Sequence, residues 1–110
     1  MWITVLTNLP DQKSAEVLAF SLVEARLAAC VNILPPIQSV YQWKDQIENA
    51  SEIMMLIKTT QERYPAVEES IFRLHPYEVP EIIALPIVSG LPAYLSWIEA
   101  GTSVENNSIA

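Results

Sequence analysis

From Cys30 to Thr60 the chain reads as one long β hairpin, and no other feature restricts the fold as much. The segments "CVNIL" and "IQSVYQW" are rich in β-branched and aromatic residues, "KDQ" makes a short turn, and "IENASEIMMLIKTT" returns. Pro35 and Pro36 cannot donate to a ladder, so they predict a bulge or an edge segment rather than a central strand. Ser39, Tyr41 and Trp43 share one face of the outgoing arm. On the returning arm Ile53, Met55 and Ile57 alternate with Met54 and Leu56, which predicts a strand buried on both faces. Such a hairpin runs beyond the edge of a small sheet, and its far part carries Val40, Tyr41, Trp43, Ile47 and Ile53. Alone in water that ribbon is marginal and its edges invite pairing. The expectation is an obligate oligomer in which a partner's sheet receives the hairpin.

The remaining elements complete a familiar order. "WITVLTNL", closed by Pro10, predicts a first strand over about residues 2–8. Asp11 offers an N-cap oxygen, and Ala15, Leu18, Ala19, Leu22, Ala25 and Ala29 recur at helical spacing, predicting a helix over 12–28. "QERYPAVEESIFRLH" predicts a second helix, with Pro65 in its first turn and Pro76 ending it. "EIIALPIV" supplies a fourth strand and "LPAYLSWIEA" a short last helix. The result is an α+β chain in β-α-β-β-α-β order, two helices covering one face of an antiparallel sheet. Residues 1–101 form one domain, and 102–110 read as a polar, flexible tail.

Thirteen acidic residues against six basic ones give a net charge of −7, with the Lys and Arg scattered singly. No phosphate-tracking patch exists, which argues against nucleic acid and favours cations as partners. The single Cys30 closes no intrachain disulfide and belongs to no zinc-type Cys pair. "MWITVLTNLPDQ" does not read as a signal peptide, and "IIALPIV" is too short to be a transmembrane segment, so a soluble cytoplasmic protein is expected. With two glycines there is no phosphate loop, and no nucleophile has a recognisable base, so neither an enzyme nor an organic cofactor is expected.

"LHPYEVPEIIALPI" holds the only histidine, three prolines and two glutamates. Imidazole suits copper and zinc, which makes His75 a candidate metal ligand, with Glu78 and Glu81 as oxygen donors. The same His75 can instead cap the preceding helix, and the prolines are explained by rigid turns. Cys30 is a weaker candidate, a soft ligand or a small packed side chain. Tracing the topology puts Cys30 and His75 at opposite ends of the sheet, puts Asn8 and Asp11 at the His75 end with Glu78, and lets Tyr41, Trp43 and the hairpin tip reach either that end or a neighbour's cleft. Lys58, the one cation in an apolar strand, either snorkels from the sheet edge or holds an anion in a cleft.

"EARLAACVNILPPIQSVYQWKDQIE", "MLIKTT" and above all "HPYEVPEIIALPIVSGLPAYLSWI" resemble the CutA divalent-cation tolerance proteins over residues 2–100. The resemblance implies a ferredoxin-like subunit, a homotrimer that shares long hairpins, and a link to copper and other divalent metals. The turn "WKDQIE" departs from the family in lacking a glycine; Asp45 can replace it, because a short polar side chain tolerates left-handed φ. Two functions are therefore in view. One is a trimer responding to metal ions through His75, Glu78 and Glu81. The other is a PII-like trimer binding a small molecule or protein partner in clefts lined by Lys58, Tyr41, Trp43 and Tyr77. Light scattering at working dilution should return a stable oligomer; a well-folded single chain contradicts the shared hairpin.

Overall fold

The computed structural model describes residues 1–103. Its elements run β1 (Trp2–Leu9), α1 (Gln12–Glu24), β2 (Cys30–Ile33), β3 (Ile37–Trp43), β4 (Gln46–Thr60), a 3-10 turn (Gln61–Arg63), α2 (Tyr64–Leu74), β5 (Ile83–Pro86) and α3 (Pro92–Gly101). The strands form one antiparallel sheet in the order β2-β4-β1-β5, with β3 continuing along β4 beyond β2. This is the ferredoxin-like α+β arrangement that the element order predicts.

Alternation along the two central strands decides which face meets the helices. Ile3, Val5 and Leu9 of β1 and Ile53, Met55 and Ile57 of β4 point to one side, where Leu18 and Leu22 of α1 and Val67 and Ile71 of α2 bury them. Ala15 and Ala19 let α1 lie close on the sheet. Met54 and Leu56 face away and are only half-buried, so one chain does not cover both faces of β4 as expected.

Pro35 and Pro36 divide the predicted second strand in two. Ile33 lies opposite Met55 and Ile37 opposite Glu52, so four steps on one side span three on the other: a one-residue bulge. The slip exchanges the faces. Ile37, Ser39, Tyr41 and Trp43 consequently share the side of Glu52, Met54 and Asn8, opposite the helices. The hairpin then runs out to its tip and stretches the molecule to 51 × 30 × 22 Å.

Two turns use left-handed backbone without glycine. Lys44 (φ 52°) and Asp45 (φ 66°) both occupy it, the signature of the I′ turn that matches strand twist in a two-residue hairpin. Arg26 (φ 59°) does so after α1, which therefore stops at Glu24 rather than at 28. Its guanidinium donates to the carbonyls of Ala100 (2.7 Å) and Ser103 (3.0 Å), at the electronegative end of α3. The start of the expected tail is also packed: Thr102 is buried and donates its hydroxyl to the Ile98 carbonyl at 2.9 Å. The rest of that segment, 104–110, lies outside the described residues.

Replacing Lys44-Asp45 by Asn-Gly should relieve the turn and raise the thermal midpoint, corresponding to about 1 kcal/mol. Gly101→Ala should lower it, because a Cβ there meets the Ala29 Cβ at 3.1 Å and its Cα at 3.3 Å. Met55, fully buried, should cost about 2–5 kcal/mol when cut to Ala, read from denaturant midpoints.

Candidate functional site

At the end of α2 the chain leaves the helix at His75, whose backbone is extended (φ −82°, ψ 135°). The imidazole turns away from the helix's own carbonyls and buries itself against the end of β1. Its Nε2 lies 2.6 Å from the Asn8 carbonyl oxygen, and its Nδ1 accepts from the Tyr77 amide at 3.2 Å. A carbonyl only accepts, so Nε2 carries the proton and Nδ1 the lone pair, which defines one neutral tautomer. Burial pushes its pKa below the ordinary histidine value, outweighing the opposing effects of the Asn8 bond and the Glu52 charge.

Tyr77 packs tilted on the imidazole with ring centroids 4.7 Å apart. Its hydroxyl donates to Glu52 Oε2 at 2.8 Å. Burial, then the bond to Glu52 and its charge, raise the phenol pKa well above its ordinary range. On the other side Asn8 Nδ2 donates to Glu81 Oε1 at 3.0 Å, while Asn8 Oδ1 is buried with no partner among the described residues.

These side chains border a cleft of about 800 Å³ between the hairpin and the loop after α2. Tyr41 and Trp43 form its hairpin wall, Tyr77, Glu78 and Glu81 its loop wall, and Asn8 and Glu52 lie in its lining. Among the described residues no Lys or Arg lines it, and Lys44 stands beside it with Nζ 5.7 Å from the Trp43 ring centroid. The bulge brings this about, because without the slip Tyr41 and Trp43 would lie on the opposite face of the hairpin.

The residues singled out in the sequence thus separate. Tyr41, Trp43, Tyr77, Glu78 and Glu81 come together. Lys58 does not join them: it pairs with Cys30 and Thr4 toward the other end of the sheet, where its ammonium donates to Asn32 Oδ1. Cys30 stands there too, near the Tyr94 hydroxyl, whose pKa is raised chiefly by burial. His75 lies behind the cleft wall, and among the described residues no three His, Cys, Asp or Glu side chains gather as a metal-holding group. The set His75, Glu78 and Glu81 is therefore not assembled as a ligand cluster in this chain, because both imidazole nitrogens are spent on backbone and Glu81 is engaged by Asn8. Glu52 escaped the sequence reading. Its one signal is a carboxylate immediately before the apolar run "IMMLI", and only the bulged register reveals what it faces.

A ferredoxin-like subunit with an overlong hairpin and an acidic, aromatic cleft defines the class. Residues 3–101 match the CutA1 divalent ion tolerance protein family, and the chain belongs to it. It is 48% identical over 99 residues to "Protein CutA" of Mus musculus, covering 90% of this chain and 56% of that protein, so it spans little more than half of that relative. The "Divalent-cation tolerance protein CutA" of Thermus thermophilus is 45% identical over 98 residues, 89% of this chain and 95% of that protein. The solved structure of the divalent cation tolerance protein Cut A1 from Thermus thermophilus superposes with a TM-score of 0.91 at 44% identity, covering 94% of this chain and all of that one. Among the described residues no helix is long and apolar enough to cross a membrane.

His75 should make stability pH-dependent. The unfolded chain protonates its imidazole near pH 6.5, while the folded one resists until lower pH. The unfolded state therefore binds more protons in that window, and stability falls as pH drops through it. Urea midpoints should decline from pH 7.5 to 5.5. In His75→Ala that component should vanish, with a loss of about 1–3 kcal/mol at pH 7.5 from the Asn8 carbonyl left without its donor.

Proposed function

We propose that this chain serves divalent-cation tolerance as a homotrimer that binds the metal, copper foremost, at the acidic cleft. The observation that carries the reading is the cleft's lining. Its ionisable side chains are carboxylates and phenols, and among the described residues no Lys or Arg is part of the lining, Lys44 standing beside it over the Trp43 ring. Glu78 and Glu81 are exposed there and present oxygens to an incoming cation. Oxygen donors without a size-selective cage follow the general first-row order, in which Cu²⁺ is held most tightly. In this reading His75 shapes the loop that carries the two glutamates, and it is not itself a ligand unless it gives up a backbone partner. The names of the family and of the Thermus thermophilus relative, both of which speak of tolerance to divalent ions, support the same role.

The trimer rests on uncovered surface. Val40 (67% exposed) and Ile47 (74%) project from the hairpin, and Ile83 (46%) and Leu85 (44%) from β5. Among the described residues β3 pairs only with β4 and β5 only with β1, so each leaves an edge of backbone groups that no described strand pairs. An exposed apolar edge strand is an aggregation hazard unless a partner covers it. Unlike patches that meet head to tail close into a ring, and three copies match the resemblance.

Calorimetric titration with Cu²⁺ tests the metal site. The double variant Glu78→Gln, Glu81→Gln should bind at least tenfold more weakly than wild type, whereas His75→Ala, where folded, should stay within a few-fold. Unchanged affinity in the glutamine variant rejects the cleft as the site.

A further inference from the structure

The outermost row of α1 is apolar at its centre. Lys13, Val17, Phe20 and Glu24 follow one another at spacings of four, three and four residues. With 3.6 residues to a turn they fall in one stripe about 60° wide. The buried residues Ala15, Leu18, Ala19 and Leu22 occupy the opposite side of the helix, so the stripe points directly away from the core. Val17 is 53% exposed and Phe20 76%, and Val23 beside them is exposed too. Single apolar side chains at a surface are ordinary, but three joined on one helix face form a patch.

The charges at the two ends give the row a direction. Lys13 lies in the first turn of α1 and Glu24 in the last, and among the described residues neither takes part in an ion pair. Both oppose the dipole of their own helix, whose N-terminus favours anions and whose C-terminus favours cations. Both suit the dipole of an antiparallel neighbour. Spacings of four and three are also those by which two helices pack seam to seam. Set antiparallel against itself, the row is self-complementary: Lys13 lies opposite Glu24 of a second copy and Val17 opposite Phe20, and the converse. A two-fold axis thus gives two charge pairs around a closed apolar centre. Ser14 and Ser21 flank one side of the seam and Glu16 and Val23 the other, so no like charges stand opposite each other. A parallel alignment would instead set Lys13 against Lys13 and Glu24 against Glu24.

The geometry points to α1 as a two-fold contact between copies of this chain, the row Lys13, Val17, Phe20, Glu24 packing antiparallel on the same row of a second copy. Neither the hairpin nor β5 belongs to this row. The contact therefore joins assemblies that the hairpins have already built, and it is independent of the metal site. Three turns of helix bury less than the roughly 1,200 Å² of a stable specific interface, so one such contact is weak and acts at high chain concentration.

Sedimentation velocity of the full chain, from micromolar to millimolar concentration, tests this. Wild type should grow reversibly beyond the mass of its dilute assembly. Lys13→Glu and Glu24→Lys should each weaken that growth at least tenfold, because each turns two attractive pairs into two repulsive ones. Phe20→Ser should abolish it. These three positions are exposed, so the dilute assembly should keep its wild-type mass in every variant. The double variant Lys13→Glu, Glu24→Lys exchanges the signs and should return the association to within a few-fold of wild type, as should an equimolar mixture of the two single variants. That rescue separates a specific seam from general stickiness. Single reversals that associate like wild type, or a double reversal that stays apart, overturn the proposal. So does wild type that keeps its dilute mass at millimolar concentration, a result that would assign the stripe to a partner of another kind.

Discussion

The backbone ladder along β4 carries the rest of the molecule. Its fifteen residues pair with β1 on one side and with β2 and then β3 on the other, so a single strand sets the register of most of the sheet. Side chains alternate with a period of two, so these pairings decide at once which residues enter the core and which look away from the helices. Val5 opposite Ile57 belongs to the helix side, and Leu6 opposite Leu56 to the other. A slip of one residue anywhere along that ladder would reverse the assignment for everything beyond it.

Such a slip is built in at Pro35 and Pro36. Neither has an N–H, so the ladder is interrupted there at no cost in unsatisfied donors, and one extra residue is accommodated. The exchange of faces turns aromatic rings toward Asn8, Glu52 and the loop after α2. The same hairpin leaves Val40 and Ile47 in solvent. Cleft formation and the demand for a partner therefore stem from one local event in the chain.

His75 links the cleft to the core by geometry. Its ring ties the end of β1 to the residues after α2 and holds Tyr77 where its hydroxyl meets Glu52. A buried imidazole bonded at both nitrogens is a rigid spacer. The feature that makes His75 conspicuous in the sequence, a lone histidine among prolines and glutamates, is accounted for by this spacer role, and it leaves the carboxylates to face the cleft. Glu52, inconspicuous in the sequence, is the more deeply placed acid.

The sequence by itself determined the element order, the two-residue alternation along the returning strand, the interruption at the prolines and the left-handed turn at Asp45. Each follows from interactions within a few residues: periodicity, missing amide protons, and side-chain limits on φ. Tertiary structure alone decided that α1 stops at Glu24, because Arg26 takes left-handed φ where its guanidinium reaches the carbonyls that end α3, more than seventy residues away. It alone also separated Lys58 from the aromatic residues, added Glu52 to the cleft, and used both His75 nitrogens internally. These outcomes depend on which strand lies beside which and in what register, and local sequence preferences contain no information about contacts so distant along the chain.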